Sequence, residues 1–291
     1  MTNTAGGWVW SSSLLFFVVP ACLWLHLEGT RVGVSRTHQL AFLVVGFFGA
    51  ISASFPIAFA TVHAYRRDGT FLDHLRCRNF SVVKKQPAAT APSTRWLVVP
   101  AIAAMISATM LPYTVKTANG IYIASLAVLH VVLILPALLS QSPVVGRVPA
   151  KSDLAVIWHS KTALIFACVA GAAALQHLHN LCQYMWPQAV SHSNRAVEGS
   201  LLEAGWANAC QASISYDAVF SASACLLYMA ANGDWHTSVT RQGSSTLLPA
   251  WPFVLSAPFV SPAAAFAAYL ACEASQKAFE GAIFTRRKAE L

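Results

Sequence analysis

Charge is scarce in this chain. Asp, Glu, Lys and Arg make up 10% of its 291 residues, against roughly 25% in soluble domains, so water is not the solvent for most of it. Several chemistries lack their residues as well. No DDxxD or NDxxD segment is present to hold magnesium and a diphosphate, which disfavours a prenyltransferase. No HExxH, GxSxG or glycine-rich phosphate loop occurs. The seven cysteines, Cys22, Cys77, Cys168, Cys182, Cys210, Cys225 and Cys272, form no CxxC pair and no zinc-ligand spacing. His177 and His179 alternate along their segment and point to different sides, which suits them poorly to one metal. A b-type haem would need facing histidines, and His63, His130, His159 and His177 are poorly spaced for that.

What the chain has instead is hydrocarbon. Residues classed as hydrophobic make up 56%, and the mean hydropathy is +0.54. They are grouped in long blocks rather than spread with strand or amphipathic-helix periodicity. A hydrocarbon core about 30 Å thick needs roughly 20 apolar residues in a helix. Blocks of that size occupy 8–27, 38–65, 96–115, 121–139, 154–181, 211–231 and 247–271. The expected fold is therefore all-α: a single-domain polytopic membrane bundle of about seven transmembrane helices over 1–291. Between the blocks lie a basic loop at 66–95 and a polar, aromatic loop at 182–210, and a basic tail occupies 272–291. Pro56, Pro100, Pro112, Pro252 and Pro258 fall within or beside blocks, where neighbouring helices re-satisfy the freed carbonyls.

The net charge of +8 sits mostly between blocks, as expected of residues that face headgroups and set orientation, and no base-reading module accompanies it. Nucleic acid is not an expected partner; the bilayer is. Arg66, Arg67, Arg76, Arg78, Lys84, Lys85 and Arg95 place the first loop in the cytoplasm, and the start of the chain with it. Seven spans then put Lys277, Arg286, Arg287 and Lys288 on the opposite side. The two basic groups conflict. Asn79-Phe80-Ser81 is a glycosylation acceptor in that loop, and a glycan on it would reverse the orientation. Cys182 and Cys210 flank one loop, either as free thiols or as a pair if that side is oxidising.

An ionisable residue within a span costs at least a few kcal/mol and is a functional candidate. Asp217 lies in Ser213-Ile-Ser-Tyr-Asp217-Ala-Val-Phe-Ser221, so Ser213, Asp217 and Ser221 share a helix face that is expected to meet protein or a cavity. Glu28 follows Trp24 by four residues and shares its side. Each has a bland reading beside the catalytic one: an inter-helix hydrogen bond for Asp217, an interfacial carboxylate for Glu28. Gln176, His177, Asn180 and Tyr184 make a polar cap at the end of the fifth block. In the loop that follows, Trp186 and Trp206, with Tyr216 beyond, are either belt aromatics or the lid of a cavity.

One acid after an aromatic at the end of an early helix, and a second in Ser-Tyr-Asp217 of a late one, give the chain a resemblance to the fungal integral-membrane terpene cyclases of meroterpenoid clusters. It covers the layout and these two acidic positions. The resemblance implies a hydrophobic isoprenoid substrate and an endoplasmic reticulum location. It also implies a carboxylic acid that protonates a terminal epoxide or olefin, after which the carbocation cyclises and loses a proton. A carboxylic acid surrounded by hydrocarbon keeps its proton more readily than one in water, which suits Asp217 and Glu28 to the roles of general acid and counter-base, in an order left open. Trp24, Tyr113, Trp206 and Tyr216 are candidates to hold the cation over their rings, and Ser213, Ser221, His177 and Asn180 to line the substrate site. No metal or organic cofactor is expected. The rivals are a small multi-span transporter, for which an internal duplication would be the signature, and a membrane protein without chemistry.

Overall fold

The computed structural model describes residues 5–68, 95–117, 119–139, 153–182, 203–206, 208–232 and 250–289; Trp186, most of the basic loop and the side chain of Tyr113 lie outside the described residues. Nine long helices are present among them: α1 Ala5–Val32, α2 Arg36–Phe48, α3 Ile51–Asp68, α4 Arg95–Thr117, α5 Asn119–Leu139, α6 Asp153–Asn180, α7 Ala209–Asn232, α8 Trp251–Val260 and α9 Pro262–Ala289. Within α1, α5, α6 and α7 lie four segments long and apolar enough to cross a membrane, Val9–Val32, Gly120–Leu138, Val156–Asn180 and Ala209–Ala231. In α4 the apolar stretch Leu97–Leu111 is shorter.

Helix α1 is apolar on every side and runs through the middle of the bundle, with Val19, Ala21 and Trp24 fully buried. A helix with no polar face belongs either in lipid or in a core, and α1 takes the core. The helices around it turn apolar side chains outward: Leu164 and Leu175 of α6, Leu227 of α7 and Ile123 of α5 are all more than half exposed. In water such a belt would be a large sticky surface; in a bilayer it is the lipid contact. Because lipid competes as well as protein for apolar side chains, helices in a membrane associate through close backbone approach at small residues. The most extensive interface is α6 against α9, and both helices bury small residues: Ala163 and Ala173 in α6, and Ala263, Ala267, Ala271, Ala274 and Ala278 in α9.

Two of the seven expected spans are helix pairs. Block 38–65 breaks after Phe48 into α2 and α3, where Gly49 has φ −114° and ψ −99°; a Cβ there would stand 2.7 Å from the Val45 carbonyl oxygen, so the break requires glycine. Block 247–271 breaks at Ser261, which holds φ 97° and ψ 145° and separates α8 from α9. The tail at 272–291 continues α9 as helix to Ala289, helped by the i,i+4 pair Lys277–Glu273 at 2.7 Å.

Ser261 pairs strain with a cap. Its φ lies in a region that is essentially glycine-only, at a cost of about 1–3 kcal/mol, while its Oγ accepts the Ala264 N–H at 3.1 Å and caps α9. Glycine relieves the strain and forfeits only a few tenths of a kcal/mol of capping, so Ser261→Gly is expected to raise stability in detergent by about 1 kcal/mol. Ser261→Ala keeps the strain, loses the cap and is expected to lower it by a similar amount. Thermal unfolding of the two variants beside the wild type checks both signs.

Candidate functional site

Contacts along α1 set the direction of its neighbours. Near the start of α1, Asn180 at the end of α6 donates to Ser12 Oγ at 2.8 Å. There too the Trp10 ring meets Trp206 edge-on, their centroids 5.7 Å apart. Deeper, Phe17 packs on Phe55 of α3 and Phe266 of α9, and Trp24 on Phe59 and Tyr228. At the end of α1, Glu28 meets Lys277 of α9 and shares a hollow with Trp158 and His159 of α6. Helices α3, α7 and α9 therefore run with α1, and α6 runs against it.

Glu28 sits at this lower end with 9% of its surface exposed. Its Oε2 accepts from Arg31 Nε at 2.8 Å, and its Oε1 lies 3.9 Å from Lys277 Nζ, which itself donates to Glu273 at 2.7 Å. Among the described residues Arg31 and Lys277 offset the charges of Glu28 and Glu273, which lets acidic groups sit at the edge of the hydrocarbon. Beside it opens a hollow lined by Trp24, Glu28, Trp158, His159, Phe166 and Lys277, among others. His159 is within electrostatic reach of Glu28, Glu273, Arg31 and Lys277. As it stands the space admits about one water molecule.

Above the hollow, Trp24 is fully buried and donates from Nε1 to the Tyr228 hydroxyl at 3.1 Å. Phe59 and Phe266 complete the cage, with Phe59 stacked on Tyr228 at 5.0 Å. Trp24 thus belongs to both the packed core and the wall of the hollow.

Asp217 occupies a different place. It is half-buried near the start of α7, and its Oδ1 accepts from both the side-chain hydroxyl and the backbone N–H of Ser52, the latter at 3.3 Å. Ser52 is the second residue of α3, so Asp217 satisfies one of the orphan N–H groups that the break at Gly49 creates and lies at the positive end of the α3 dipole. Asp217 lies 11 residues before Tyr228, which is level with Trp24, and Glu28 lies one turn beyond Trp24. At about 1.5 Å per residue the two acids are about 20 Å apart along the bundle. The structure does not bring them to one site.

The remaining candidates divide in the same way. The Ser213–Asp217–Ser221 face does not meet a single environment: Ser213 is exposed, Asp217 half-buried, and Ser221 buried, its Oγ without a hydrogen-bond partner among the described residues. Residues four apart advance by about 40° around a helix, so the row drifts from the exposed side at Ser213 onto the buried stripe of α7 that holds Gln211, Ser215, Ser221 and Cys225. Tyr216 and Trp206 are 51% and 40% exposed; Trp206 meets Tyr216 edge-on, and Tyr216 stacks on Phe220. Gln176, Asn180 and Ser12 form a chain of hydrogen bonds at the upper end that finishes on the Val9 carbonyl, and His177 and Asn180 line a second small hollow there with Ser13 and Ser261. Cys182 and Cys210 are both free thiols. Among the described residues no group of three His, Cys, Asp or Glu side chains could hold a metal.

His159, Trp158, Glu273 and Arg31 were not singled out for this site from the sequence. The available signal was the Glu273/Lys277 pair at i,i+4 spacing and the Trp-His doublet at the start of an apolar block.

If Asp217 chiefly caps α3, the acceptor matters more than the charge. Asp217→Ala is expected to destabilise the protein by about 1–2 kcal/mol, while Asp217→Asn, which keeps a carbonyl acceptor, costs well under half of that. Denaturation midpoints of the two variants in one detergent decide it.

Fold and geometry together define an all-helical, multi-pass membrane protein. Comparison with protein-family models, with curated proteins and with solved structures gives no match.

Proposed function

We propose that the chain is a membrane-embedded cyclase that closes a prenyl or epoxy-prenyl chain on itself by acid initiation, in the endoplasmic reticulum membrane. The supporting observation is the hollow at the end of α1, where the carboxyl of Glu28 and the imidazole of His159 share walls with the rings of Trp24, Trp158 and Phe166.

The chemistry is an isomerisation. A proton from the Glu28–His159 pair goes to the epoxide oxygen and the carbon–oxygen bond opens. The π electrons of the nearby double bond form the new carbon–carbon bond, and the resulting cation loses a proton from an adjacent carbon to the other member of the pair. One proton enters and one leaves. Aromatic faces stabilise the cation where water would trap it. A prenyl end exceeds the present room, so it enters as the side chains of α6 and α9 part at the mouth near Lys277. Glu28 releases its bond to Arg31 when it takes the proton.

An epoxidised farnesyl-aromatic compound supplied to microsomes that carry the protein tests the reading. Cyclised product that is absent from control microsomes is the expected result. Substrate recovered unchanged, whether outside the vesicles or accumulated within them, would move the assignment to a transporter or a non-catalytic membrane protein.

A further inference from the structure

The basic residues sort by membrane face once the helices are given their directions. Arg31 ends α1, Arg36 begins α2, and Arg66 and Arg67 end α3. Because α1 and α3 run together and α2 returns between them, all four positions belong to the end of the bundle that carries Glu28. Helix α6 begins there, with Lys161 in its first turns. Helix α9 ends there, with Lys277 at Glu28 and positions Arg286, Arg287 and Lys288 beyond.

The α4–α5 hairpin, joined at residue 118, fits only the same way. Its two ends connect through 69–94 and 140–152 to helix ends on this face. The second connection is shorter than the roughly 20 residues a helical crossing needs, and the backbone cannot cross lipid in any open form. Arg95 and the connections that carry Arg76, Arg78, Lys84, Lys85, Arg147 and Lys151 are thus tethered to the Glu28 face. Lys116, at the end of α4, belongs to the opposite face; Arg195 and Arg241, in the segments 183–202 and 233–249, lie outside the described residues.

The opposite face carries an aromatic cluster in which Trp206 contacts both Trp10 and Tyr216. From Trp10 to Glu28 there are 18 residues of helix, or about 27 Å, close to the roughly 30 Å of a hydrocarbon core. An aromatic belt and a ring of cations therefore stand one bilayer apart. This also removes the conflict between basic loop and basic tail. It arose from counting blocks 38–65 and 247–271 as single crossings, whereas each is a helix pair that changes the parity.

We infer that the protein sits with the Glu28 end in the cytoplasmic leaflet and the start of α1 on the other side, its basic end docked on anionic phospholipid headgroups. The basic loop stays on the cytoplasmic side, as read from the sequence, and the start of α1 moves to the opposite side. It follows from lysine and arginine being retained on the cytoplasmic side, and that leaflet carries the anionic lipid, worth about 1 kcal/mol per basic residue near the surface. It does not depend on the proposed reaction.

Cysteines already in the chain report it. Cys77 lies in the sequence tethered to the basic face, and Cys182, which is exposed, lies two residues past the end of α6 at the other. In sealed microsomes of cytoplasmic-side-out orientation, treated with a membrane-impermeant maleimide and read by peptide mass spectrometry, Cys77 is expected to label at once and Cys182 only after the membrane is opened with detergent. Asn79 is expected to carry no glycan. Labelling of Cys182 without detergent, protection of Cys77, or a glycan on Asn79 would overturn the orientation. For the lipid contact, the protein in nanodiscs containing phosphatidylserine is expected to melt higher than in phosphatidylcholine alone, with the gap narrowing in high salt and in the Arg286→Ala/Arg287→Ala/Lys288→Ala variant. Equal melting in both lipids, or a gap that salt leaves intact, would overturn the docking.

Discussion

Replacing Trp24 with alanine is expected to cost about 2–4 kcal/mol of stability, the largest loss from any single side chain in the bundle. A buried tryptophan cut to alanine costs roughly 3–5 kcal/mol in a soluble core, part of it the cavity and part the transfer from water. In a bundle whose unfolded helices remain in lipid, the transfer part shrinks and the cavity part stays. Trp24 touches Phe59, Tyr228 and Phe266 at once, so helices from three parts of the chain lose one common partner, and the Tyr228 hydroxyl loses its indole donor. Trp24→Phe keeps most of the volume and removes the hydrogen bond, so its expected cost is about 1 kcal/mol. Unfolding in mixed micelles for the two variants separates packing from hydrogen bonding.

Glu28→Gln is expected to leave the protein folded and to lower cyclisation by about 100-fold or more, the range removed with a general acid or base. Glutamine fills the same space and still accepts from Arg31, but it carries no exchangeable acid proton. Asp217→Asn is expected to change turnover by no more than a few-fold, since that side chain sits about 20 Å away at the start of α3. His159→Gln should resemble Glu28→Gln if the pair shares the proton, and a normal rate in that variant would leave Glu28 to act with Glu273 instead.

Much of the fold was legible because lipid leaves so few solutions: long apolar blocks must be helices. Five of the seven blocks correspond to single helices, α1, α4, α5, α6 and α7. The two that do not were hidden by their apolarity. Gly49 and Ser261 sit inside unbroken hydrophobic runs, and hydropathy does not register a backbone turn. The break at Gly49 had a partner in the sequence, Asp217, which reads as an isolated intramembrane acid until a helix start is known to lie opposite it. Glu28 and Trp24 share a face as their spacing of four requires. Their neighbours Trp158, His159 and Lys277 come from blocks far along the chain, and only the packing of α6 and α9 on α1 identifies them. The same packing fixed the parity of the crossings, which no count of apolar residues supplies.

Side-by-side turnover of an epoxy-prenyl substrate by wild-type, Glu28→Gln and Asp217→Asn protein, each first shown to be folded by its melting curve in the same detergent, bears most directly on the proton-carrying role of the α1 end. The expected outcome is product from the wild type and from Asp217→Asn and almost none from Glu28→Gln. An inactive Asp217→Asn beside an active Glu28→Gln would place the reaction at the other end of the bundle and contradict the account.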